Sequence, residues 1–139
     1  MPTLSQFLLA ASAGILLVLG TAHLYLTFFT TSFHPRDASV RERMDATQPK
    51  LTRETTVWKA WIGFNASHSI GVMVFGLLYG YLALWHGPML MASAFLLGLG
   101  GLVLLSYCVL ARRYWFRIAL VGCGLATVLY IAGVVVGVT

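Results

Sequence analysis

AWIGFNASHSIGVMVFGLLYGYLALWHGPMLMASAFLLGLGGLVLLSYCVLA, residues 60–111, runs for 52 positions without an Asp, Glu, Lys or Arg. At about 1.5 Å of rise per residue, one helix of that length would far exceed a hydrocarbon core about 30 Å thick. The stretch must therefore turn once. His86-Gly87-Pro88 supplies the turn, because proline ends one helix and starts another, glycine relaxes the backbone, and the preceding Trp85 suits a membrane interface. The pattern predicts two spans, 57–85 and 88–111, joined by a tight hairpin.

The flanking segments follow the same pattern. All nine basic and all four acidic residues fall between Arg36 and Lys59 or between Arg112 and Arg117, which leaves 1–35 and 118–139 uncharged as well. A first span is expected over 7–29. Its leader, Met1-Pro-Thr-Leu-Ser-Gln, has no basic residue and no short apolar region followed by a small-residue cleavage site, so the helix reads as retained rather than as a signal peptide. A fourth span is expected over 115–138, after the connection Arg112-Arg113-Tyr114-Trp115. The predicted fold is an all-α integral membrane bundle of four transmembrane helices, a single domain over 1–139. With 59% hydrophobic and 9% charged residues, against about 25% charged in a soluble domain, the composition excludes a soluble enzyme, a disordered chain and a disulfide-stapled secreted domain. An enzyme acting inside the membrane is not excluded, although no recognisable catalytic set can be assembled.

Basic residues of short loops tend to stay in the cytoplasm. The loop 30–56 and the connection 112–115 hold nearly all of them, while both ends of the chain and the His86 turn hold none. The expected setting is the bacterial inner (plasma) membrane, multi-pass, with both termini outside and both basic loops cytoplasmic. Trp58, Trp61 and Trp115 would then mark the inner interface and Trp85 the outer one. The net charge of +5 suits anionic lipid headgroups better than nucleic acid, since no basic face with stacking aromatics is present. Arg112, Arg113 and Arg117 are the candidate headgroup ligands, with Arg117 expected one turn into the fourth span on the face of Arg113.

The loop of 27 residues is long enough to carry structure. A short helix is expected from Asp37 to Ala46, with Asp37 and Arg41 paired at i,i+4 and with Val40 and Met44 toward the membrane surface. Thr52 is the expected cap of the second span, with Glu54 in its first turn. Small residues recur at four-residue spacing: Gly63, Ser67 and Gly71, then Gly76 and Gly80, and in the last span Gly122 with Ala126 and Gly133 with Gly137. In lipid this spacing lets backbones approach, within the bundle or between copies of the chain. Cys108 and Cys123 have no zinc-type spacing and read as small apolar residues.

One polar cluster stands out, in Trp61-Ile-Gly63-Phe-Asn65-Ala-Ser67-His68-Ser69 set against His23 of the first span. Trp61, Asn65 and His68 share a helical face, and His23 and His68 fall at comparable depths, roughly 9 and 15 Å from the inner interface by helical rise. Ionisable groups in a membrane are costly and normally face the bundle interior or a cavity. His23, Asn65 and His68 are therefore the candidate polar groups of a pocket, with Trp61 and Tyr107 as walls. The plain alternative is interhelical hydrogen bonding. Neutral imidazoles on facing helices can also ligate a haem iron or another metal, so His23 and His68 are the candidate metal ligands and haem the candidate cofactor. No carboxylate lies in any span, which argues against a proton-driven transporter and a carboxylate di-iron site.

Through Trp61-Ile-Gly-Phe-Asn-Ala-Ser-His-Ser-Ile-Gly, preceded by His23 and the basic loop, the chain resembles a family of small, uncharacterised bacterial four-span membrane proteins with a W-x-G-F-N-x-S-H motif. The resemblance covers most of the first two spans and their loop. It implies a bacterial inner-membrane setting and attaches no activity. The expected function is binding of an apolar or amphipathic ligand, lipid or quinone-like, or service as an accessory subunit of a membrane complex. The alternatives are a bis-histidine haem or metal protein of electron transfer and a structural membrane oligomer. Expected partners are membrane lipids, a second copy of the chain or a larger membrane complex.

Overall fold

The computed structural model describes residues 2–138 and, within them, is all-helical. Its elements are α1 (Leu4–Phe29), α2 (Ala38–Ala46), α3 (Val57–Trp85), α4 (Gly87–Ala92), α5 (Ala94–Tyr114) and α6 (Arg117–Val138). Four of these, α1, α3, α5 and α6, are long and apolar enough to cross a membrane. The chain is a multi-pass membrane protein built on four such helices. Large apolar side chains are exposed along all four, among them Val18, Phe64, Leu102 and Val121, as expected where lipid is the solvent.

The second span matches its expected bounds, and the others shift for local reasons. The helix after the His86 turn does not run on as a single span from Pro88. Proline starts α4, but Ser93 is extended (φ −99°, ψ 98°) and its hydroxyl accepts the Leu96 N–H at 3.2 Å, so α5 starts afresh at Ala94. At its far end α5 continues past Ala111 to Tyr114. Arg112 and Arg113 thus occupy the last turn, where cations meet the negative end of the helix dipole. Arg117 is the first residue of α6 rather than one turn into it, and the break at Trp115 and Phe116 removes the expected shared face with Arg113. In the loop, Asp37 caps α2 by accepting the Ser39 N–H at 2.8 Å, and Arg41 pairs with Asp45 at 3.4 Å instead of with Asp37. Thr56, not Thr52, caps α3, accepting the Lys59 N–H at 3.2 Å. Thr52 instead holds a local turn through the Glu54 N–H.

By packing, the chain divides into two compact units. The larger comprises the chain up to Leu19 and from Val72 onward. Its core holds Leu9, Ala13, Leu16, Phe75, Leu104 and Ala126 among others. Burial of apolar surface drives little helix association in lipid, and this unit relies on close backbone approach and hydroxyl bonds. Ser5 and Ser12 of α1 donate to the Gly133 and Ala126 carbonyls of α6, each at 2.7 Å. The Tyr79 and Tyr130 hydroxyls donate to the successive carbonyls of Leu96 and Leu97, each at 2.8 Å. Gly76 lies so close to α1 that a Cβ there would stand 2.8 Å from the Ala13 carbonyl oxygen and the Leu17 nitrogen. The smaller unit, Gly20–Gly71, takes the end of α1, the loop with α2 and the beginning of α3.

Candidate functional site

The polar cluster lies wholly within the smaller unit. The Asn65 side-chain amide donates through Nδ2 to the Trp61 carbonyl one turn earlier at 2.8 Å, which turns Oδ1 toward α1. His23 Nε2 meets that oxygen at 3.0 Å. A carbonyl-type oxygen can only accept, so Nε2 of His23 carries the hydrogen and donates it. The His68 ring stands edge-on to the His23 ring, with centroids 5.3 Å apart and planes at 76°. Both imidazoles and the amide are half-buried. Nearby hydroxyls are engaged within their own helices: Thr27 donates to the His23 carbonyl and Ser69 to the Asn65 carbonyl, each at 2.8 Å.

The loop closes over this cluster. The Phe33 ring lies 4.4 Å from the His23 ring, and the Phe33 carbonyl accepts the Trp61 indole N–H at 3.1 Å. Trp61, expected as a wall, is therefore also the tie that holds this roof. Next along the loop, His34 stands edge-on to Trp58 at 4.8 Å, and the Arg41 guanidinium lies 3.8 Å from the centre of the same indole. Trp58 is buried, at 8% exposure, although a tryptophan at a membrane interface would ordinarily keep one edge in the headgroups. It anchors the loop on α3. Trp58 was expected only as a marker of the inner interface and Arg41 only as a partner of Asp37, and Phe33 was not expected at the site at all.

Of the residues expected at the site, His23, Trp61, Asn65 and His68 come together. Tyr107 belongs to α5 in the larger unit, where its ring lies 6.3 Å from that of Trp115. For a metal, the set offers two imidazoles, and among the described residues no group of three or more His, Cys, Asp or Glu is placed to hold an ion. His23 Nε2 is engaged by Asn65, so axial ligation of a haem through that nitrogen requires its hydrogen bond to the Asn65 side-chain oxygen to break. What the arrangement offers chemically is a small, fixed set of hydrogen-bonding groups with aromatic cover, set in apolar helices. Arg112, Arg113 and Arg117 are exposed at the ends of α5 and α6 in the larger unit. That unit also carries an open cavity of about 360 Å³ lined by Thr3, Ser5, Gln6, Pro88, Met91 and Val136 among others. There the Thr3 N–H and Gln6 Oε1 satisfy each other at 2.7 Å. Comparison with family models, with curated proteins and with solved structures finds no match.

Proposed function

We propose that this chain is a bacterial plasma-membrane protein, with both termini outside and both basic loops cytoplasmic, that binds a small amphipathic molecule at His23, Asn65 and His68. The polar end of the ligand bonds to the imidazoles and its apolar body lies among the aromatic side chains. The observation that carries the reading is the His23–Asn65 bond across two helices with His68 set edge-on beside it. Placing two ionisable rings and an amide within apolar spans is costly, and fixing them through a bond 42 residues apart in sequence is the kind of preorganisation a binding site requires. Haem or metal ligation ranks below this reading, because His23 Nε2 is already engaged by Asn65 and, among the described residues, no carboxylate or thiolate joins the pair.

The test is thermal unfolding of the purified chain in mild detergent, with and without a total lipid extract of its own membranes. A ligand that binds only the folded state stabilises it, by about 2.7 kcal/mol at a hundred times its Kd. The extract raises the Tm of the wild type more than that of His68→Ala. Equal shifts in the two proteins would refute the site.

A second reading, self-association or docking into a larger membrane complex, is favoured by one observation. Gly63, Ser67 and Gly71 form an exposed small-residue stripe, and a Cβ added at either glycine would meet nothing within 4 Å. Loss of a dimer on Gly63→Leu with Gly71→Leu, with the extract effect unchanged, would establish this role beside the first.

A further inference from the structure

The densest uncompensated charge in the molecule lies where α5 passes into α6. Arg112 and Arg113 close one helix, Arg117 opens the next, and Tyr114, Trp115 and Phe116 fill the interval. All six side chains are exposed, Tyr114 at 73% and Phe116 at 53%. Among the described residues the one ion pair is that of Arg41 with Asp45, and none of these three guanidiniums pairs with a described carboxylate. The longer basic segment differs in kind. Between Arg36 and Lys59 six basic residues are offset by four acidic ones, a net charge of +2, while the six residues 112–117 carry +3 with no acid.

The helices that flank this turn specify what can neutralise it. At 21 and 22 residues, α5 and α6 are just long enough to span the hydrocarbon, so their shared end lies at headgroup level. Aromatic side chains favour that level, and a guanidinium fork matches two oxygens of a phosphate. Beside the turn, Ile118 and Val121 of α6 are exposed at 74% and 68%, an apolar surface on which acyl chains can lie. We propose that the α5–α6 turn is a binding site for an anionic phospholipid, its phosphate held by Arg112, Arg113 and Arg117 and its acyl chains along the start of α6. This site is separate from the histidine cluster and does not depend on how that cluster is read.

The test uses the full chain reconstituted in phosphatidylcholine bilayers with trace spin-labelled phosphatidylglycerol or spin-labelled phosphatidylcholine, and measures by electron spin resonance the ratio of their association constants with the protein. The wild type is expected to prefer phosphatidylglycerol several-fold, consistent with a ceiling of about fivefold per arginine near a charged surface. Arg112→Gln, Arg113→Gln and Arg117→Gln together bring the ratio close to one, and each alone lowers it in part. Arg36→Gln, Arg43→Gln and Arg53→Gln together leave most of the preference intact. The site is overturned by a wild-type ratio near one, by equal losses in the two triple variants, or, should the first triple variant fail to insert, by single substitutions that leave the ratio unchanged.

Discussion

Asn65 Oδ1 lies 3.0 Å from His23 Nε2, joining α3 to α1 across 42 residues of sequence. The amide also holds the Trp61 carbonyl, and Trp61 holds the Phe33 carbonyl, so one side chain sits at the centre of the links that tie loop, α1 and α3 together in the smaller unit.

Asn65→Ala therefore removes a bond between helices, whereas Ser69→Ala removes one that stays within α3. Hydrogen bonds between membrane helices are worth roughly 0.6–1.7 kcal/mol. Unfolding in mixed micelles should register a loss of about that size for Asn65→Ala and little for Ser69→Ala. Equal effects would show that the His23–Asn65 hydrogen bond contributes nothing particular.

Glycine substitutions should split by sign. A Cβ at Gly76 would press on backbone atoms of Ala13 and Leu17, which cannot yield as a flexible side chain can, so Gly76→Ala should cost about 1–3 kcal/mol. Gly63 faces open space, and Gly63→Ala should be neutral or stabilise the helix by about 0.5–1 kcal/mol. The same unfolding titration measures both. Two losses of similar size would contradict the close approach of α3 to α1.

Trp58 anchors the loop through His34 on one side and Arg41 on the other. Trp58→Ala should free it, and trypsin in the native state should then cut after Arg43, Lys50 and Arg53 faster by roughly fivefold or more, the factor set by about 1 kcal/mol of local stability. Arg41→Ala, which removes a contact worth about 0.5–2 kcal/mol, should have a smaller effect in the same direction. An unchanged cleavage rate in Trp58→Ala would mean that other contacts hold the loop.

Much of the architecture was legible in the distribution of charge. Residues 57–85 read as a span because Lys59 and His86 bracket an apolar run, and the structure gives α3 the same bounds. The break at Ser93 was not legible, since a serine in an apolar run bonds within its helix as readily as it caps a new one, as Ser69 and Ser106 do here. Helical phase put Trp61, Asn65 and His68 on one face, but phase says nothing of which neighbour that face meets. The covering of His23 by Phe33 and the burial of Trp58 depend on the path of an aperiodic loop, for which neither hydropathy nor spacing carries a signal.

Whether His23, Asn65 and His68 hold a small molecule is decided by native mass spectrometry of the chain extracted from its own membranes. The wild type should carry one amphipathic small-molecule mass per chain that His68→Ala, extracted in parallel, lacks, while both retain any phospholipid held at the α5–α6 turn. A bare wild type, or an identical set of adducts on the two proteins, would contradict the histidine site.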